Sequence, residues 1–165
     1  MTTPPKTSSS SPQPEIRTDS TSPTRLTTTP SDPEVVRKFA LEAAQLVADD
    51  KCTDVVLLDV TGISPVTDYI VIASGTSDRQ MRSVLDHVAE LGAKAGYSAY
   101  RSNSDERATW LLVDFVDLVV HLFEPNTRSH YDLEMLWGDA KRVDWERPAA
   151  ASTRNRAGLS ADDVL

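Results

Sequence analysis

The 165 residues contain one cysteine, Cys52. A lone thiol makes no intramolecular disulfide and no thiolate metal cluster, so Cys52 reads as a small residue near the core. Only three histidines occur, His87, His121 and His130. None stands at the i and i+4 spacing of helical metal ligands, and no zinc site, other metal or cofactor is expected. No Gly-x-Ser-x-Gly elbow is present, so a hydrolase triad drawn from Ser77, His121 and an Asp lacks its nucleophile turn. No apolar run is long enough to span a membrane, and no signal-peptide core precedes the first apolar-periodic stretch. Basic residues are also short, with 17 Lys and Arg against 25 Asp and Glu.

That charge deficit is concentrated. Residues 1–30 carry +1 and residues 146–165 carry zero, which leaves −9 of the total −8 on residues 31–145. An acidic domain is repelled by phosphate backbones, so little direct nucleic-acid contact is expected; a basic protein partner fits, as does plain solubility. The apolar content is uneven too. Residues 1–30 are Ser, Thr and Pro with only Ile16 and Leu26 as sizeable apolar side chains after Met1. Such a stretch buries too little to offset the entropy of ordering it, and a disordered tail is expected there. Residues 146–165 are expected to be a second loose tail, with one ordered domain over residues 31–145. A cytoplasmic location is expected, with a chloroplast or mitochondrion as the alternative if residues 1–30 act as a transit peptide.

Within the domain, Asp32 and Pro33 announce a helix, with Ser31 and Glu34 also spaced as a capping box. Val35, Val36, Phe39, Ala40, Ala43, Leu46 and Val47 recur at helical spacing to about Asp50. Strands follow at Thr53–Val60 and Asp68–Ala73, close enough in sequence to pair antiparallel. Ser77 and Gln80 are spaced as a capping box before a second helix, whose stripe is Met81, Val84, Leu85, Val88 and Leu91 and whose terminator is Gly96. A short strand at Tyr97–Arg101, a polar loop over 102–107, strands at Thr109–Val113 and Leu118–Phe123, and a final helix from about Thr127 to Arg142 complete the order. The last helix is expected to place Leu133, Leu136, Trp137 and Ala140 on one face. The order α-β-β-α-(β)-β-β-α predicts an α/β fold, a mixed β-sheet with flanking helices.

Two regions invite functional readings. At Ser74–Arg79 a strand runs through a glycine into a helix start, which makes Gly75, Ser77 and Arg79 a candidate anion site, if only a vestigial one. Transfer chemistry there would also need two carboxylates one residue apart on a strand to hold magnesium. No such pair follows: Asp114 and Asp117 are two residues apart across a turn, and Asp78 puts negative charge where a phosphate would sit. A capped helix start is the simpler reading. The second region is Trp110–Trp137, dense in Trp, Asp, His, Arg and Tyr. Trp110, Leu112 and Asp114 alternate onto one strand face. If that face is buried, Asp114 needs a partner, and Arg128 is the candidate. If it is open, an aromatic and acidic recognition surface results.

Three stretches, T-D-Y-I-V-I-A-S-G-T-S-D-R-Q, W-L-L-V-D-F-V-D-L-V-V-H-L-F and R-S-H-Y-D-L-E-M-L-W, together resemble the ribosomal silencing factor, or Iojap-like, family. The likeness covers roughly Val35 to Val143. Phe115-Val116 stands where Tyr-Gly or Leu-Gly is usual, and the loop Ser102–Arg107 lacks a frequent Glu-Gly. The resemblance implies a nucleotidyltransferase-like fold without transferase activity. It implies binding to the large ribosomal subunit through ribosomal protein L-fourteen, a steric block to small-subunit joining, and a homodimer when free. On this basis Trp110, Asp114, Phe115, His121 and Tyr131 are the expected partner contacts, with no catalytic residues. The alternatives are a magnesium-dependent nucleotidyltransferase-like enzyme using Gly75–Arg79 and Asp68, or a large-subunit assembly factor.

Overall fold

In the computed structural model, residues 31–103 and 108–148 are described. The expectations for residues 1–30 and 149–165, and for 104–107 of the polar loop, lie outside them. The first helix, α1 (Pro33–Asp49), starts where its signals stand: the Asp32 carboxylate accepts from the Glu34 amide at 3.0 Å and Pro33 takes the first turn. Ser31 serves elsewhere, donating its hydroxyl to Asp117 at 2.6 Å. Strands β1 (Thr53–Asp59) and β2 (Tyr69–Ser74) pair antiparallel, as their short connection requires.

The second helix, α2 (Asp78–Lys94), is capped by Ser77, whose hydroxyl accepts from the Gln80 amide. The return arm of this cap reaches one residue further back, from Gln80 to the Thr76 amide at 2.6 Å. The helix ends before Gly96, which takes φ +87°. Strands β3 (Tyr100–Asn103), β4 (Trp110–Asp114) and β5 (Leu118–Phe123) follow. β3 thus begins three residues later than expected and takes Ser102 and Asn103 from the predicted loop.

The sheet order is β3-β4-β5-β2-β1-β6, with β5 parallel to β2 and every other pairing antiparallel. One face is covered by α1 and α2. Phe39, Ala43 and Val47 of α1 and Met81, Val84 and Val88 of α2 bury there with Leu57, Val71, Leu111, Val113, Val120 and Leu122 of the sheet. The opposite face holds a smaller cluster, Leu58, Val60, Ile70, Ile72 and Phe123.

The chain after β5 departs from expectation. No single helix runs from 127 to 142. A short α3 (Pro125–Tyr131) stops at Asp132, which adopts the left-handed conformation (φ 44°, ψ 58°) and caps a one-turn α4 (Leu133–Leu136) through its carboxylate. Leu133, Trp137 and Ala140 do pack on the smaller cluster, but Leu136 is 71% exposed and leaves their face. Lys141 and Arg142 form β6, a two-residue sixth strand opposite Asp59 and Leu58. Contacts continue past residue 145. The Trp145 indole donates to the Val55 carbonyl at 3.1 Å, and the Arg147 guanidinium meets both Asp49 carboxylate oxygens at 3.0 Å.

Candidate functional site

Alternation along β4 sets the site. Leu111 and Val113 bury against the helices, while Trp110, Leu112 and Asp114 face the other way and are only partly buried. Trp110 therefore lies on the face away from α1 and α2. Its ring stacks on Phe123 (centroids 4.9 Å apart, planes 23°) and touches Tyr131 at 4.6 Å. Its indole N–H donates to Nδ1 of His121, its cross-strand diagonal neighbour, at 3.2 Å. Burial pushes the His121 pKa down to about 4. The ring is therefore neutral near pH 7, and because Nδ1 accepts, the proton sits on Nε2.

Tyr131 is 47% exposed, and Met135 and Leu136, next along the chain, are 79% and 71% exposed. The result is a platform of stacked aromatic rings with apolar side chains in the segment beside it. Two of its supports escaped sequence reasoning. Arg128, the candidate partner of Asp114 had that face been buried, pairs with Glu134 (Nε to Oε1, 2.9 Å) and donates Nη1 to the Ser74 hydroxyl at 2.9 Å. It thereby ties α3 and α4 to the end of β2. The Asp114 carboxylate accepts from the Val116 amide at 2.7 Å and shapes the turn into β5.

Phe115 corrects the expected contact set. It is 2% exposed, packs edge-on against Phe39 at 5.1 Å, and faces the helix side. The same alternation that exposes Trp110 and Asp114 buries Phe115 with Leu111 and Val113. Of the five expected contact residues, the structure gathers Trp110, His121 and Tyr131 into one cluster and places Asp114 on the same face at the far end of β4.

At the start of α2, the groups around Gly75 and Thr76 bond within the protein. The Gly75 amide donates to the Phe123 carbonyl at 2.8 Å, and the Thr76 amide and hydroxyl both donate to Gln80. Asp78 pairs with Arg82 at 2.8 Å. A Cβ at Gly75 would fall 2.2 Å from Met81 Cγ, so close packing on Met81 explains the glycine. Asp68, the further carboxylate considered for transfer chemistry, precedes β2 while Gly75 follows it, a separation of roughly 20 Å at ~3.3 Å per residue. Among the described residues, no three His, Cys, Asp or Glu side chains come together as a metal site, and no helix is long and apolar enough to cross a membrane.

The architecture defines a class: an α/β domain with helices on one sheet face and an aromatic platform on the other. The chain belongs to the ribosomal silencing factor family, whose profile, described as "Ribosomal silencing factor during starvation", matches residues 33–163. Ribosomal silencing factor RsfS of Bacillus subtilis is 38% identical over 109 residues, which are 66% of this chain and 92% of that protein. A mouse protein named "Mitochondrial assembly of ribosomal large subunit protein 1" is 33% identical over 135 residues, 76% of this chain and 56% of the mouse protein. A crystal structure of a Chromobacterium violaceum protein superposes with a TM-score of 0.56 at 31% identity, covering 73% of this chain and 97% of the other. Homologues named "Protein Iojap, chloroplastic" include one from Zea mays, 30% identical over 106 residues, 64% of this chain and 46% of the maize protein.

Proposed function

We propose that this protein binds the large ribosomal subunit through ribosomal protein L-fourteen. By occupying the face where the subunits meet, it blocks small-subunit joining and represses translation initiation, with no catalytic step and no cofactor. The observation that carries this reading is the platform of Trp110, His121 and Tyr131 on the sheet face opposite α1 and α2. Tryptophan and tyrosine concentrate binding energy at interfaces because they bury large, rigid area at small entropic cost. Trp110 is the anchor, His121 offers its Nε2–H to an acceptor, and Asp114 faces a basic partner residue. Phe115 acts from behind by packing the turn. The −9 charge of residues 31–145 favours docking on basic protein over bare RNA. In the free protein the same face can pair with a second copy, and the cytoplasm is the proposed site of action.

Sedimentation of the protein with separated large subunits, with and without small subunits, tests this. Co-sedimentation with large subunits and loss of joined ribosomes is expected; no co-sedimentation would overturn it. The name of the mouse relative favours a second reading, an assembly factor of the large subunit. In that case the protein would bind large subunits, but adding it to mature ones would leave joining intact.

A further inference from the structure

The end of the sheet remote from Trp110 carries a second unusual surface. Two turns meet there. The loop from β1 to β2 and the turn from β4 to β5 are joined where the Asp117 carbonyl accepts from the amides of Asp68 (3.1 Å) and Tyr69 (3.0 Å). Three aliphatic side chains on these turns face solvent: Val66 is 70% exposed, Val116 56% and Ile63 48%. Val116 also holds φ +74°, the left-handed region that β-branched residues rarely enter. The strain is borne while the side chain projects into water, where a glycine would relax both.

Acidic side chains predominate at this end. Asp68 and Asp117 are partly buried, and among the described residues neither makes an ion pair. Among the described residues the Asp117 carboxylate accepts from the Ser31 hydroxyl, and Lys141 stands opposite Asp59 in register. Burial, then the charges of Asp117 and Asp59, push the Asp68 carboxyl above its ordinary range. An opposite charge placed between such acids relieves both effects. The same acids repel a second copy of this chain and any phosphate backbone, and no three of the described ligand-type side chains converge on a metal.

We propose that this end of the sheet is a second docking surface that takes a basic segment of a partner protein. One Lys or Arg side chain of the segment sits between Asp68 and Asp117, and its aliphatic side chains cover Ile63, Val66 and Val116. The surface borders Asp114 but is centred at the end of β4 opposite Trp110, away from the stacked rings.

Two synthetic peptides of equal length and charge, one alternating Lys with Leu and one alternating Lys with Ser, test the proposal by NMR titration at near-physiological salt. The Lys/Leu peptide is expected to bind about tenfold more tightly, with amide shifts centred on residues 59–68 and 114–118. Asp68→Asn and Val116→Gly should each weaken it by about fivefold. Val116→Gly should also raise the thermal midpoint by relieving the left-handed strain, so its weaker binding cannot come from unfolding. Trp110→Ala should leave the peptide affinity unchanged. Equal binding of the two peptides, unchanged affinity in both turn variants, or shifts centred on Trp110 and Tyr131 would overturn it.

Discussion

The indole N–H of Trp110 donates to Nδ1 of His121, so each ring fixes the other: the histidine is held as the Nε2–H tautomer and the indole is pinned flat on Phe123. The bond survives only while Nδ1 is unprotonated, which links the binding platform to pH.

His121 titrates near its ordinary value of 6.5 when unfolded and at about 4 when folded, so the unfolded chain takes up a proton first. The stability it supports is complete above 6.5 and is lost as pH falls toward 4. His87 has the opposite sign. Its hydrogen bond to Asp50 raises its pKa, so its contribution is complete below 6.5 and fades as pH rises through the raised value. The two partly cancel on acidification. His87→Ala should therefore lose more stability than the wild type between about pH 7 and 5 in urea titrations. Parallel pH profiles for the two proteins would contradict this assignment.

Replacing Trp110 by alanine should weaken large-subunit binding by about 2 kcal/mol, as expected for an interface anchor. Tyr131→Ala should cost about 1 kcal/mol, since nearly half of that side chain is already in water. Co-sedimentation of folded variants across a concentration series reads both numbers.

Arg128→Met should lower unfolding stability by about 2 kcal/mol, because it leaves Glu134 partly buried without its cation. Arg128→Lys should rescue little: a single ammonium cannot reproduce the fork that serves Glu134 and Ser74 together. Chemical denaturation of the three proteins decides it.

Gly92→Ala sets two effects against each other. Alanine favours the helix by about 1 kcal/mol, yet its Cβ would fall 2.4 Å from Phe115 Cε1, and Phe115 is wedged against Phe39. Overpacking wins, with a net loss of about 1–2 kcal/mol. Adding Phe115→Leu should recover part of it, a non-additivity that a double-mutant cycle measures.

Much of this fold is legible where the deciding interactions are local. The Asp32-Pro33 and Ser77-Gln80 starts are side-chain-to-backbone contacts within a few residues, and the strand stretches owe their burial to composition. The break at Asp132 is not legible that way. L-E-M-L-W continues a helical pattern, and only the Arg128–Glu134 clamp and the packing of Leu133 and Trp137 on the smaller cluster show why the chain turns. β6 exists because β1 leaves an open edge, a tertiary demand that two residues cannot encode. Phe115 is the instructive case. The alternation of Leu111 and Val113 already placed it on the inner face, but the family likeness weighed its neighbours as a surface.

The parallel pairing of β2 with β5 bears on the order in which the chain can fold during synthesis. β5 lies between β2 and β4 at the centre of the sheet, yet its last residue is Phe123. Until that strand leaves the exit tunnel, α1, β1, β2 and α2 form a helix-backed hairpin whose inner edge, Tyr69–Ser74, has no partner. Residues of that edge are among the most apolar in the chain, so the nascent protein carries an adhesive strand for roughly a third of its synthesis. Closure then comes in one late step, and the platform that begins at Trp110 cannot exist before it.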